Sequence, residues 1–434
     1  MRLRQRGSMQ ETGVNILNVV IGDSSGRSRP DACPGALQVH AAADGGLARI
    51  RVPGGRLTSA QLGEVADAAS DCGTGVIELT SRANVQVRGL GGGSRFAARM
   101  ADAGLLPSAT HERVRNILAS PLTGCDTEGT LDAGPLVTEL DLRLCGTPAL
   151  AALPGRFLFA LDDGRGDVAW LGPDAGILPT GPGEAALILA GADSGLRVPA
   201  GSAVTALLTA AEAFLTEPAV EQARAWRIGE LPGCAERVAA AVEAALETRS
   251  AAPARLSRAV TRREPVGIVE QPGGRAALGV AVPLGRLTSA QARLLADLAS
   301  GGEARLTPWR GVVLPGLTPG EAAAARALVE EAGLVTDPGS PWTGVTACTG
   351  RPGCAKSLAD VQADATRATT STTRTGTLPV HWAGCERRCG RPRGRVADVV
   401  ATAAGYRVDL DGRSLECADI EETAAVVTAL RGET

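Results

Sequence analysis

Apolar positions along this chain fall into two patterns, and each pattern occurs twice. The run LARIRV (Leu47–Val52) and the run AALGVAV (Ala276–Val282) alternate or stay apolar over strand-length windows. Pro-Gly-Gly or Pro-Leu-Gly then turns the chain, and helical spacing takes over in SAQLGEVADAA and SAQARLLADLA. Thr58 and Thr288 stand just before those helices and suit the N-cap, where a hydroxyl accepts from an orphan backbone N–H. Each copy continues with two short strands, Val76–Leu79 with Val85–Val87 and Ala304–Leu306 with Val312–Leu314, joined by the hairpin loops SRAN and PWRG. Helices at Arg95–Leu105 and Pro319–Ala332 close the units. Strand–helix–strand–strand–helix is most of a ferredoxin-like α+β unit. The match between VPGGRLTSAQLGEVADAAS and VPLGRLTSAQARLLADLAS is too long for chance, and a single repetition rules out a solenoid. Such half-units are expected to pair about a pseudo-twofold axis.

A larger segment comes after each copy. The expected division is a mobile N-terminal tail over 1–35, half-units at 36–105 and 265–335, larger domains at 106–250 and 336–434, and a linker at 251–264. Met9 offers an alternative start. In the first large segment a strand is predicted at Phe157–Asp162, another around Ala186–Leu189, and helices at Ala203–Phe214 and Ala235–Thr248.

Composition narrows the class. Apolar residues make up 44% of 434 residues, so the chain is globular, but aromatics are only 2%, so its cores rest on Ala, Val, Leu and Ile. The basic residues are arginines except Lys356, and the net charge of −3 gives no sign of nucleic-acid binding. No apolar run is long enough to span a membrane, and the opening NILNVVIG is too short for a signal peptide. These features point to a reducing cytoplasm.

Four of the ten cysteines then stand out: Cys348 and Cys354 with five residues between them, Cys385 and Cys389 with three. Glycines and prolines (Gly350, Pro352, Gly353, Gly384, Gly390, Pro392) make tight loops of both pairs, which four cysteines buried in a core would not need. Thiolates in fours hold zinc or an iron–sulfur cluster; zinc pairs are usually closer spaced, and disulfides do not suit a reducing compartment. The run AKSLADVQADATR (Ala355–Arg367) reads as a helix starting at or just after Cys354, whose positive end would favour an anionic cluster. Cys33, Cys72, Cys125, Cys145, Cys234 and Cys417 are scattered and read as structural, as do His40, His111 and His381. The glycines Gly91–Gly93 lack the strand-then-helix context of a dinucleotide fingerprint.

This layout, with GCERRCGRP as a second cysteine pair, resembles the sulfite and nitrite reductase superfamily from about residue 36 onwards. TSRANVQVRGL resembles its tetrapyrrole-binding hairpin, and HERVRNILASPLTG (His111–Gly124) the Arg-Asn loop after it. Within the superfamily, CTGRPGCAKSLADVQADA, RNILASPLTGCD and LPGRFLFALDDG resemble the precorrin-3B synthase family more closely. Where the reductases resemble one another in a Lys-x-Lys pair, this chain has Arg156 and Leu158, so only one cation remains.

The fold this implies is α+β: duplicated ferredoxin-like half-domains paired pseudo-symmetrically, each followed by a reductase-like α+β domain, the second carrying the cluster. The activity implied is an O2- and NADH-dependent monooxygenase of aerobic cobalamin biosynthesis, hydroxylating precorrin-3A with γ-lactone formation. The resemblance brings a [4Fe-4S] cluster on Cys348, Cys354, Cys385 and Cys389, and a mononuclear non-haem iron is suspected for the family. Electrons would come ultimately from NADH through a separate reductase. Guanidinium forks suit the carboxylates of such a macrocycle. The substrate-binding candidates are Arg82, Arg115, Arg156, Arg51, Arg88 and Arg310, with Asn84 and Gln86 alternating on the strand that carries Arg88. The competing readings are a sirohaem-dependent sulfite or nitrite reductase and a non-catalytic iron–sulfur electron-transfer or sensor protein.

Overall fold

The computed structural model describes residues 31, 33–222, 224–254, 264–372, 376 and 378–432. The expected tail, with Met9, lies mostly outside the described residues, as does the middle of the expected linker.

The two copies build two five-stranded antiparallel sheets that exchange a strand. The first sheet runs His40–Ala42, Gly45–Ile50, Val85–Leu90, Val76–Leu79 and finally Arg286–Thr288, which belongs to the second copy. The second runs Gly267–Gln271, Arg275–Ala281, Gly311–Leu317, Glu303–Leu306 and Arg56–Thr58 from the first copy. Each exchanged strand comes after the Pro-Gly-Gly or Pro-Leu-Gly turn and leads straight into a helix, Ser59–Cys72 or Ser289–Leu298. Both helices carry a complete capping box, Thr58 with Gln61 and Thr288 with Gln291. One apolar core, from Ile50, Leu57, Val65 and Val87 through Leu287, Leu295, Leu306 and Leu314, serves both copies. Neither half therefore has a complete core without the other. The pseudo-twofold pairing expected from the repeat is the observed architecture.

Each larger segment forms a sheet that begins with three parallel strands. In the first these are Ile117–Ala119, Phe159–Leu161 and Ala175–Gly181, continued antiparallel by Glu184–Leu189, Ala192–Pro199 and Arg249–Ser250. In the second they are Val345–Ala347, Val380–Ala383 and Ala397–Thr402, continued by Gly405–Leu410 and Arg413–Cys417. The first is backed by helices Gly134–Gly146, Ala203–Leu215 and Cys234–Ala245, with the rings of Phe157, Phe159 and Phe214 meeting at 5.0 and 5.3 Å. The second packs on Val361–Thr370 and Ile420–Gly432. No helix among the described residues is long and apolar enough to cross a membrane.

One expected element begins in a different place. The helix predicted from Ala355 starts at Val361, capped by Asp360, whose carboxylate accepts from Ala363 N. Residues 355–359 are turns instead, because Ser357 Oγ bonds the carbonyl of Ala359 and Leu358 N bonds that of Gly384. The helix dipole therefore does not point at Cys354. Its first turn lies against Cys348, whose carbonyl accepts from Gln362 Nε2 at 3.2 Å.

Candidate functional site

Parallel pairing brings the two cysteine loops together. Ala347 sits beside Trp382 in register, so Cys348 and Gly384-Cys385 leave neighbouring strands at the same end of the sheet. Cys348 N bonds Trp382 O at 2.8 Å, and Gly384 N donates to Cys348 Sγ at 3.2 Å. Burial pushes the Cys348 thiol up, while the N–H groups of Gly384 and Gly350 pull it down and the charges of Cys389 and Cys354 oppose its ionisation. Backbone N–H groups aimed at a sulfur stabilise its thiolate form. All four cysteines are free thiols, Cys389 exposed and the others partly so. Four thiols on two Gly/Pro loops at adjoining strand ends form a donor set that fits a cubane iron–sulfur cluster, and these side chains would hold it.

A cavity of about 390 Å³ opens beside Cys348 and Cys389. Its floor is a row of side chains across the first sheet: Arg49 pairs with Gln86, Gln86 with Glu78, and Glu78 with Arg286 of the exchanged strand. Arg49 donates through Nε and Nη2 to Gln86 Oε1 (3.3 and 2.7 Å), and Gln86 Nε2 donates to Glu78 Oε2 at 2.5 Å. Arg82 and Asn84 from the first hairpin loop, Arg310 from the second, Arg156 and Cys33 complete the polar wall. Arg156 also stacks over the Trp226 ring at 4.8 Å. Ala83 and Arg310 occupy the same place in the two loops and both take a left-handed backbone, φ 53° and 66°.

Among the described residues the wall is strongly cationic, with five arginines, Arg49, Arg82, Arg156, Arg286 and Arg310, and Glu78 as its only carboxylate. Burial, reinforced by Arg227, lowers Arg82 to about 10, and burial lowers Arg310 to about 10. Both stay charged at neutral pH, and a bound polyanion would relieve the crowding of like charge.

Of the expected substrate residues, Arg82, Asn84, Gln86, Arg156 and Arg310 line this cavity. Three do not: the forks of Arg115 and Arg88 are engaged elsewhere, and Arg51 is buried with both Nη atoms lacking a hydrogen-bond partner among the described residues. Arg115 is held by both carboxylate oxygens of Asp141, at 2.7 Å, and by Leu105 O. Arg88 binds Asp44 and the carbonyl of Gly353, steadying the first cysteine loop. Arg51 is fully buried, donates through Nε to Arg113 O, and is pushed down to about 9 by burial and by Arg49. Arg49, Glu78, Arg286 and Cys33 were missed. Glu78 was legible as the hairpin partner of Gln86, and Arg49 as the next strand's; Arg286 needed the strand exchange, and Cys33 carries no sequence signal. His40 lies on an edge strand, and His111 bonds Ser108, Thr110 and Thr147. His381 is buried beneath the cysteine loops, with Nδ1 on Thr346 Oγ1 at 2.9 Å, and burial followed by Arg310 and Arg391 lowers it to about 3. Its Nε2 faces the Cys389 backbone without a well-formed hydrogen bond.

Comparison with known proteins agrees with the fold. The model of the nitrite/sulfite reductase ferredoxin-like half domain matches residues 40–94 and 269–332, the two exchanged-strand units. The chain therefore carries two copies of the ferredoxin-like half domain of nitrite and sulfite reductases. A precorrin-3B synthase from Sinorhizobium sp is 28% identical over 392 residues, covering 88% of this chain and 83% of that one. The ferredoxin–nitrite reductase of Synechococcus elongatus is 28% identical over 420 residues, covering 86% and 79%. The solved NirA protein of Mycobacterium tuberculosis superposes with a TM-score of 0.74 at 20% identity, over 88% of this chain and 79% of that one. These superfamily relatives are oxidoreductases, and they divide between two chemistries at equal identity.

Proposed function

We propose that this protein is a precorrin-3B synthase-type monooxygenase, hydroxylating precorrin-3A with O2 and electrons drawn ultimately from NADH. The observation that carries the reading is the cation set of the cavity: five arginines and no lysine. Guanidinium forks grip carboxylates and keep their protons at neutral pH. That suits holding a flat polyacid. It does not suit protonating a small oxyanion, which needs acids close to the reacting atoms. Leu158, where the reductases resemble one another in a second cation, is 4% exposed and packed in the core.

In this reading Cys348, Cys354, Cys385 and Cys389 hold a [4Fe-4S] cluster, which supplies single electrons when bound. Arg82, Arg156 and Arg310 clamp the substrate's peripheral carboxylates over the Arg49–Gln86–Glu78–Arg286 floor. The test is turnover of precorrin-3A under 18O2 with a reductase supplied. A product carrying one labelled oxygen is expected, and no product with oxygen and reductant present would overturn the reading.

The nitrite reductase relatives, equal in identity, favour one second reading: a sirohaem enzyme. The visible spectrum separates the two, since sirohaem gives sharp haem-like bands and a bare cluster one broad shoulder.

A further inference from the structure

Among the described residues, the one carboxylate of the cavity wall forms no ion pair with the cations around it. Glu78 is 9% exposed and faces the cavity. Its Oε2 takes the amide N–H of Gln86, whose own oxygen is committed to Arg49, so the Gln86 amide is fixed in orientation. Its Oε1 is buried with no hydrogen-bond partner, and among the described residues no arginine forms an ion pair with it. Arg49, Arg88 and Arg310 feel its charge, but the hydrogen bonds they make go to Gln86, Asp44, Gly353 and Gly390, and Arg286, its neighbour on the exchanged strand, leaves its own buried Nε without a partner rather than meeting Oε1. A desolvated carboxylate oxygen left without a donor costs on the order of 1–3 kcal/mol or more, so its retention in a ligand cavity marks the place of a ligand donor.

The arginines ask the ligand for acceptors, and Glu78 asks it for a donor at the cavity floor. A polycarboxylate tetrapyrrole offers acceptors at its rim. Its donors are the ring N–H groups at its centre, and a metal in the ring removes them. We infer that Glu78 Oε1 accepts from the ring N–H groups of a metal-free, reduced tetrapyrrole, and so selects that ring over a metallated one. This rests on the tetrapyrrole reading above and narrows it.

The test uses two probes with the same eight carboxylates: uroporphyrinogen III, whose four N–H groups can tilt to one face, and the palladium(II) complex of uroporphyrin III, which has none and takes no axial ligand. Both are titrated anaerobically into the cluster-loaded full chain. The wild type is expected to prefer uroporphyrinogen. Glu78→Gln should weaken uroporphyrinogen about tenfold, the loss of one charge-assisted acceptor. It should leave the palladium complex unchanged or tighter, since an anion has gone from a cationic wall. Glu78→Asp should recover part of the preference, and cluster absorbance reports that each variant is folded. Equal weakening of both rings, or of neither, overturns the assignment of Glu78 while leaving the tetrapyrrole reading intact. Failure of the wild type to bind either ring overturns the tetrapyrrole reading, and the assignment with it.

Discussion

The two larger domains share a strand-end device and use it for opposite purposes. In the second, Cys348 N bonds Trp382 O at 2.8 Å and Gly384 N donates to Cys348 Sγ at 3.2 Å. In the first, Ser120 N bonds Leu161 O at 3.2 Å and Asp163 N donates to Ser120 Oγ at 3.1 Å. The backbone is the same, with a hydroxyl where the other domain has a thiol. Beyond these bonds the two strand ends diverge. The loop after Phe159–Leu161 folds on its own carboxylates: Asp162 accepts from Gly164, Gly166, Val168 and Ala169, and Arg165 ties Asp163 to Asp126. The row of the second sheet that corresponds to Arg49–Gln86–Glu78–Arg286 reads Gly279, Val313, Arg305 and Arg56. There Arg305 fills the space, donating to Pro121 O and Thr123 O, and Arg56 is held by Glu303. Duplication supplied two equivalent strand ends. Ion-paired side chains closed one; thiols and a polar row facing a cavity left the other open.

The sharpest way to break this comparison is at the paired positions themselves. Cys348→Ser, or the same change at Cys354, Cys385 or Cys389, is expected to abolish the broad iron–sulfur absorbance. Ser120→Ala should leave iron content untouched and cost about 2–3 kcal/mol, since it removes two buried hydrogen bonds, one accepted from Asp163 N and one donated to Asp167. Iron and acid-labile sulfide counts decide it: full iron in the Cys348 variant would remove the metal centre from this end of the sheet.

Next in size is the network that closes the first domain. Arg165→Leu strands Asp163, wholly buried, and Asp126, about nine-tenths buried, without their partner. Breaking a buried pair from one side costs about 3–5 kcal/mol. The corresponding change in the second cysteine loop, Arg388→Leu between Cys385 and Cys389, removes a partner of Asp398 and Asp409, but Arg388 is 26% exposed and Arg391 and Arg407 remain beside them. About 1 kcal/mol is expected there. Denaturant midpoints with unchanged slopes are the measurement, and equal losses would erase the contrast.

The closed end also carries a pH signature. The carboxylates of Asp162, Asp163 and Asp167 lie within 4.8 Å of one another. Burial, then the charge of Asp162, pushes Asp167 up to about 7 from 3.8. The native state therefore binds more protons than the unfolded chain across that window, and stability falls as pH rises through it. Asp167→Asn should remove that slope and stabilise the protein above pH 7 by on the order of 2 kcal/mol. A wild-type stability that rises between pH 4 and 7 with no change of slope in the variant would contradict this.

How much the sequence revealed depends on the range of the interactions involved. Local signals were legible: the repeat, the N-caps at Thr58 and Thr288, and the cysteine pairs with their glycine and proline loops. The helix start at Val361 was missed because Ser357 and Leu358 are committed to Ala359 and Gly384, and the Leu358–Gly384 bond links two loops far apart in sequence. Arg115 looked like a ligand by motif, but Asp141, one helix away, claims its fork. The strand exchange left no periodicity to read, since Arg56–Thr58 and Arg286–Thr288 are three residues each. That exchange is what places Arg286 beside Glu78.

The smallest expected effect tests whether the two halves are one folding unit. Thr58 and Thr288 close equivalent capping boxes at the ends of the exchanged strands, bonding Gln61 N and Gln291 N at 3.1 Å each. Replacing either by Ala removes one cap and should cost about 1 kcal/mol. Because Arg56–Thr58 completes the second sheet and Arg286–Thr288 the first, each loss is felt by the partner half's sheet as well as its own helix. Both single variants should therefore shift one cooperative melting transition without splitting it, and the double variant should shift it by about the sum, since the two caps share no partner. Two separate transitions in Thr58→Ala would mean that the halves unfold independently, and that the single core running through Leu57 and Leu287 does not bind them into one unit.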